Sequence, residues 1–208
     1  MRVLALDTTA ERGSLALLDG DRLVEEQVLR GPDGFGHLLF PALTELLERH
    51  GWTLPQVDIF AAASGPGSFT GVRVGVSAVK GLAEATGRTV QAISNLRALA
   101  GQGTGERRLA VIHARRGEVY TGLYNGQLQS LEAERHGPLT SLVPSGVEMI
   151  CQEPWPELLA SGLPFHVATR PLAGMVAVLA LADGGVDPAA IDANYVRRSD
   201  ADGRWHDG

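Results

Sequence analysis

The chain has 208 residues, 44% hydrophobic and 20% charged, which gives a soluble globular balance with enough length to bury a core in one large or two small domains. Its formal net charge of -6 points away from a chain that grips nucleic acid unaided, because neutralising phosphates takes a basic patch. If RNA is the final substrate, another subunit must hold most of it.

Arg2 to Leu6 reads as a buried strand bounded by Asp7-Thr8-Thr9. Asp7 also cuts the opening apolar run too early for an export segment, and no stretch approaches the ~20 apolar residues of a membrane span. The expected location is therefore the cytoplasm. Ser14 to Leu18 and Leu23 to Leu29 read as two further strands, with Asp19-Gly20 as the tight turn between them. After the loop Gly31-Pro32-Asp33-Gly34, a helix runs from about His37 to His50 and is closed by Gly51. Asp58 to Ala63 is a strand, Gly65 to Phe69 a loop, and Thr70 to Thr86 a second helix ended by Gly87. That helix carries Lys80, the only lysine in the chain. Thr89 to Ile93 is a strand, Asn95 opens a short helix, and Gly101 to Gly105 is a glycine-rich linker.

The pattern then starts again. Leu109 to His113 and Glu118 to Tyr124 read as strands around the turn Arg115-Arg116-Gly117, and Asn125-Gly126 reads as a hairpin turn before a further strand. The repeated three-strand opening suggests an internal duplication. Leu139 to Pro171 is broken by five prolines and shows no clear helix. Leu172 to Leu181 is a short Ala-rich helix, and the polar tail from Asp183 is expected to be partly disordered at its end. Cys151, the single cysteine, excludes an intramolecular disulfide and a Cys-rich zinc site, and reads as a small buried apolar residue.

The segment Gly65-Pro66-Gly67-Ser68-Phe69-Thr70-Gly71-Val72-Arg73 is the most informative in the chain. Its glycines permit backbone angles closed to other residues, and Ser68 or Thr70 can cap the following helix. Free N–H groups at a helix start can also hold an anion, but the loop lacks the lysine and spacing of a P-loop, so the structural reading is preferred. The segment resembles the signature of the TsaB (YeaZ) family. Leu4 to Thr9, the helix around His37, Leu39, Pro41 and Leu46, and Arg115 to Tyr120 are similar to further family segments. The likeness covers about residues 1–125, with Tyr195-Val196-Arg197-Arg198 as a thin match near the end. His113 departs from the Asp usual in the family, and the C-terminal region looks short.

The resemblance implies an α/β actin-like/sugar-kinase (ASKHA) fold. Two RNase H-like subdomains, 1–100 and 106–208, would each carry a mixed five-stranded sheet flanked by helices, the second one reduced. It implies a non-catalytic scaffold for a TsaD-like transferase in forming N6-threonylcarbamoyladenosine at position 37 of tRNAs reading ANN codons. A heterodimer with that transferase, a TsaE-like ATPase as further partner, tRNA contact only through the complex, no membrane and no cofactor follow. TsaD-like chains hold a metal with two His four residues apart; Asn95 and Leu99 stand at those places here, and no two of the six histidines have that spacing. Asp7, Thr8 and Thr9 are weak candidates for a nucleotide site, with local capping of the turn preferred. In the family the two helices pack against their counterparts on the transferase. Leu39, Leu43, Leu46, Gly75, Ala78 and Leu82 are then the expected interface, which could also pair with itself as a homodimer. The alternatives are an ATP-dependent small-molecule kinase, resting on Asp7-Thr8-Thr9, and a glycoprotease-like metallopeptidase.

Overall fold

The computed structural model describes residues 1–31, 34–114, 116–194 and 196. Strands β1 (Arg2–Asp7), β2 (Arg12–Asp19) and β3 (Arg22–Arg30) form the expected antiparallel meander, with Gly20 at φ 60° in the turn after Asp19. Helix α1 (Leu39–Arg49), strand β4 (Ile59–Ala63), helix α2 (Phe69–Thr86), strand β5 (Thr89–Ile93) and helix α3 (Asn95–Ala100) follow. β4 lies parallel to β1 and β5 parallel to β4, giving the sheet order β3-β2-β1-β4-β5. The helix starts obey local chemistry. Ser68 Oγ accepts Gly71 N–H at 3.3 Å, and Ser94 Oγ accepts Leu96 N–H at 3.2 Å.

The second half contains β6 (Arg107–His113), β7 (Glu118–Asn125), β8 (Arg135–Pro138), α4 (Leu139–Leu142), β9 (Glu148–Cys151), α5 (Pro156–Ala160) and β10 (His166–Val167). Its sheet order is β10-β9-β6-β7-β8. β6 takes the place of β1, antiparallel to β7 and parallel to β9. The duplication hinted at by the opening strands therefore runs through the whole topology. The fold is the two-subdomain actin-like/sugar-kinase architecture, its second half reduced to helices of 4 and 5 residues and a last strand of 2. The chain reverses after Asn125-Gly126 as expected: Asn125 N–H donates to Gln129 O at 3.0 Å, Asn125 Oδ1 accepts the N–H groups of Gln127 and Gln129, and Tyr124 bridges Ser130 antiparallel before β8, which starts at Arg135.

Alternation along the strands splits the first sheet between two cores. Leu4, Leu6, Leu15, Leu17, Phe60 and Ala62 face α1 and α2. Val3, Ala5, Ile59, Ala61 and Ala63 share a second cluster with α3, with Ala110 and Ile150 of the second sheet, and with helix α6 (Ala173–Asp183). α6 is apolar nearly all round, the pattern of a helix buried on most sides. It packs on β1, β2, β4 and β5. Ser14 Oγ accepts Ala173 N–H at 3.1 Å and Glu26 Oε1 accepts Gly174 N–H at 2.6 Å, satisfying its first turn. Val186 and Val90 then exchange backbone bonds of 2.9 and 2.8 Å. A division into 1–100 and 106–208 thus separates the two sheets but leaves the last helix of the second segment on the first sheet. The expected tail disorder concerns residues outside those described.

This packing makes α6 a structural part of the first half. Leu179→Ala should lower stability by about 2–4 kcal/mol, read from urea unfolding midpoints. A loss below about 1 kcal/mol would mean that the helix does not cover the sheet.

Candidate functional site

The signature loop, the turn after β1 and the start of α3 meet at one buried junction. Asp7, Thr8, Thr9, Ser64 and Asn95 are all buried there. Asp7 Oδ1 accepts Thr9 N–H at 2.9 Å and Thr9 Oγ1–H at 2.6 Å. Thr8 Oγ1 donates to Gly71 O at 2.7 Å, and Ser68 N–H donates to Thr9 O at 2.7 Å. Asn95 completes the clasp: its Oδ1 accepts Gly65 N–H at 2.9 Å and its Nδ2 donates to Thr9 Oγ1 at 2.5 Å. The Gly65–Pro66 peptide is cis. The polar groups of the motif thus bond to one another, and α2 is held against the turn.

Two glycines are obligatory here for space. A Cβ on Gly71 would lie 2.0 Å from Thr8 O, and one on Gly75 would lie 2.7 Å from Thr8 Oγ1. Gly81, on the outer side of the same helix, has open space around it. Burial pushes the Asp7 carboxyl above its ordinary value of 3.8, while the two Thr9 bonds pull it back in part. Asp7 and Thr9 bond each other within the turn, while Thr8 reaches across to Gly71 O on α2 and Thr9 Oγ1 accepts from Asn95.

The positions where a TsaD-like chain would carry its two His ligands are structural here. Asn95 is spent on the clasp, and Leu99 is fully buried in the second core. Among the described residues no three His, Cys, Asp or Glu side chains group closely enough to hold a metal ion. His113 stacks on Trp155 with ring centroids 5.1 Å apart. Cys151 is buried, which pushes its thiol up to about 11. Arg116 is exposed at the β6–β7 turn, and Glu118 lies 3.1 Å from His136. Arg115, Tyr195, Arg197, Arg198 and His206 fall outside the described residues. Sequence reading missed Glu134, which sits where the halves meet. Its Oε1 accepts Tyr124 O–H at 2.7 Å and bonds Ser94, and its Oε2 accepts Asn194 Nδ2–H at 2.7 Å.

The expected partner surface needs correction. Leu39, Leu43, Leu46, Gly75, Ala78 and Leu82 are all buried within this chain. The leucines and Ala78 belong to the core between the helices and the first sheet, and Gly75 faces Thr8. The apolar stripe is the one each helix turns toward its own sheet, and periodicity cannot tell that stripe from a partner face. The outward faces carry Phe40, Thr44 and Glu48 on α1, and Phe69, Arg73, Ser77, Gly81 and Glu84 on α2. Phe40 and Phe69 are 49% and 51% exposed, and the Arg73 guanidinium lies 3.9 Å from the Phe69 ring centre.

The clasp generates two expectations. Gly71→Ala should destabilise by about 3 kcal/mol or more through overpacking, while Gly81→Ala should stabilise by about 0.5–1 kcal/mol; denaturant unfolding of both variants checks the contrast. Equal effects would sink the close-approach argument. The second concerns pH. A carboxyl whose folded value is raised holds its proton more tightly folded than unfolded, so its contribution is full below 3.8 and fades as pH rises through the folded value. The Asp7→Asn variant keeps an acceptor oxygen and should gain stability relative to the parent as pH is raised from about 4 to about 7. A pH-independent difference between the two melting curves would refute the burial effect.

Residues 35–147 match the TsaD family, described as tRNA N6-adenosine threonylcarbamoyltransferase. The tRNA threonylcarbamoyladenosine biosynthesis protein TsaB of Bacillus subtilis is 34% identical over 141 residues, covering 65% of this chain and 62% of that protein. TsaB of Escherichia coli is 36% identical over 129 residues, covering 60% and 55%. The matches span between half and two thirds of the length of these curated relatives. An uncharacterised Mycobacterium tuberculosis protein is 30% identical over 211 residues, with 96% of this chain and 93% of that protein covered. The solved structure of YeaZ from Pseudomonas aeruginosa superposes with a TM-score of 0.79 at 31% identity, over 93% of this chain and 100% of that one. With the signature loop, the doubled sheet and full-length structural agreement in hand, the chain belongs to the TsaB (YeaZ) family.

Proposed function

We propose that this chain is the non-catalytic partner subunit in forming N6-threonylcarbamoyladenosine at position 37 of tRNAs reading ANN codons. It binds a TsaD-like transferase as a heterodimer and holds it in an active shape, and a TsaE-like ATPase joins the assembly. The observation that carries the reading is the clasp. The signature motif bonds to the turn after β1 and to Asn95 and holds α2 in place, so its polar groups serve a helix position. The transferase docks on the outward faces of α1 and α2, which lie on the same side of the first sheet. Phe40 and Phe69 supply aromatic anchors there, with Glu48, Arg73 and Glu84 as a charged surround. Without the partner, the same faces pair two copies around a twofold axis. The acidic chain leaves most of the tRNA contact to the transferase, and the complex works in the cytoplasm.

Size-exclusion chromatography of the chain mixed with a TsaD-like transferase tests this reading. A single heterodimer peak at micromolar concentration is expected, and no transfer activity from this chain alone. Phe40→Glu and Phe69→Glu should each weaken the complex by about 2 kcal/mol, roughly thirtyfold, while the far-ultraviolet circular dichroism of the free chain keeps its folded shape. Two separate peaks from the unmodified proteins would overturn the proposal.

A further inference from the structure

The loop at 126–134, between β7 and β8 of the second half, is fastened to the first half at two points. The first is α3, which belongs to the core on the other side of the first sheet from α1 and α2. Arg97 on that helix donates from Nε to Leu128 O at 3.1 Å, and Asp183 at the end of α6 holds its guanidinium, with Nη2 3.0 Å from Oδ1. Leu128 stands at φ 60°, a left-handed conformation that is costly for a bulky residue and persists only where surrounding contacts impose it. The second point is Glu134. Glu132, in the same loop, lies 3.9 Å from Arg135 of its own half.

Glu134 grips both strand ends that frame the signature loop. Ser94 follows β5, and its hydroxyl donates to Glu134 Oε1. Ser64 follows β4, and its carbonyl accepts Asn194 N–H at 2.7 Å, while Asn194 Nδ2 donates to Glu134 Oε2 at 2.7 Å. The two ends are themselves joined: Ser64 N–H donates to Ile93 O at 2.9 Å, and Asn95 N–H donates to Gly65 O at 2.8 Å. The clasp begins at those residues. On the side of the second half, buried Tyr124 donates its O–H to Glu134 Oε1 at 2.7 Å. Burial first, and the Glu134 carboxylate second, push that phenol above its ordinary value of 10, so it stays a donor. One carboxylate thus accepts from three side chains, and bonds to an ionised acceptor are the strong ones.

We propose that Glu134 is a positioning residue for the partner face: through it the second half fixes the two strand ends that release the signature loop, and so sets how α2 is presented to the transferase. The inference rests on the partner reading for which face docks. The contacts from Glu134 through Ser94 and Asn194 to Ser64, Gly65 and Asn95, and on to α2, form the contiguous packed and hydrogen-bonded chain that carries coupling between distant sites. Coupling of binding free energies is reciprocal, so a docked partner also steadies the 126–134 loop.

Amide hydrogen exchange of the intact chain, first alone and then with the transferase, tests the proposal. Glu134→Ala should speed exchange at Gly65, Ser68 and Asn95 at least about tenfold and leave β6 and β9 as protected as in the parent. Asn194→Ala, which removes one donor from the grip, should act in the same places to a smaller degree. Glu134→Gln keeps an acceptor oxygen and should restore most of the protection, and Glu132→Ala should leave it unchanged. Calorimetric titration should show affinity for the transferase weakened about fivefold by Glu134→Ala and unaltered by Glu132→Ala. Bound transferase should slow exchange across 126–134 in the parent but not in Glu134→Ala. Faster exchange confined to 126–134, equal loosening of the whole chain, or affinity unchanged by Glu134→Ala while Phe69→Glu weakens it would each overturn the proposal. A parent chain that does not bind the transferase would sink the partner reading instead, and the exchange pattern of the free chain would still decide whether Glu134 sets the loop.

Discussion

Helix α2 enters the fold so close to the turn after β1 that no side chain fits between them. Gly67, Gly71 and Gly75 all face that turn, and a Cβ on them would come within 2.7, 2.0 and 2.7 Å of Thr9 O, Thr8 O and Thr8 Oγ1. Thr8 and Thr9 bond to the backbone of the loop and helix across the gap, and Asn95 ties both to the start of α3. This contact sets the placement of the rest. With α2 fixed, its inner face closes the core shared with α1, and its outer face is presented at a defined angle to whatever docks there. The cost of glycine in a helix interior, about 1 kcal/mol each, is offset by a buried polar junction with its groups satisfied.

Much of this was legible in the residues. The alternation and turn chemistry of 1–100 place every strand and major helix of the first half within two residues of its observed bounds, because each element there is long and strongly patterned. The second half was readable as far as β7 and again at α6, expected at Leu172 to Leu181 and observed at Ala173–Asp183. Between them, strands of four and two residues and helices of four and five carry too few periods to register, and prolines interrupt them. The stripe on α1 and α2 was visible, but its direction was not. Leu39, Leu43 and Leu46 repeat in the same way whether they meet a sheet or a partner. Gly75 looked like part of a partner face, whereas Gly71 and Gly75 make room for the chain's own turn. Contacts such as Glu134 with Ser94, Tyr124 and Asn194 join residues far apart in sequence and leave no local signal.

The two halves share a topology but divide the labour. The first half keeps full-length helices and a face that suits protein docking. The second half has shorter helices, and it contributes to a core cluster that joins the halves through Ala110, Tyr124 and Ile150.

The return of α6 to the first sheet has a consequence for how the molecule is made. The rear of that sheet, lined by Val3, Ala5, Ile59 and Ala61, stays wet until α6 arrives. Residues 101–183 must be synthesised first, an interval of roughly 4–17 s at ribosomal rates of about 5–20 residues per second. During that time the nascent chain exposes one greasy side of a sheet whose other side is already covered. The first sheet's rear face is therefore complete only once α6 has been made.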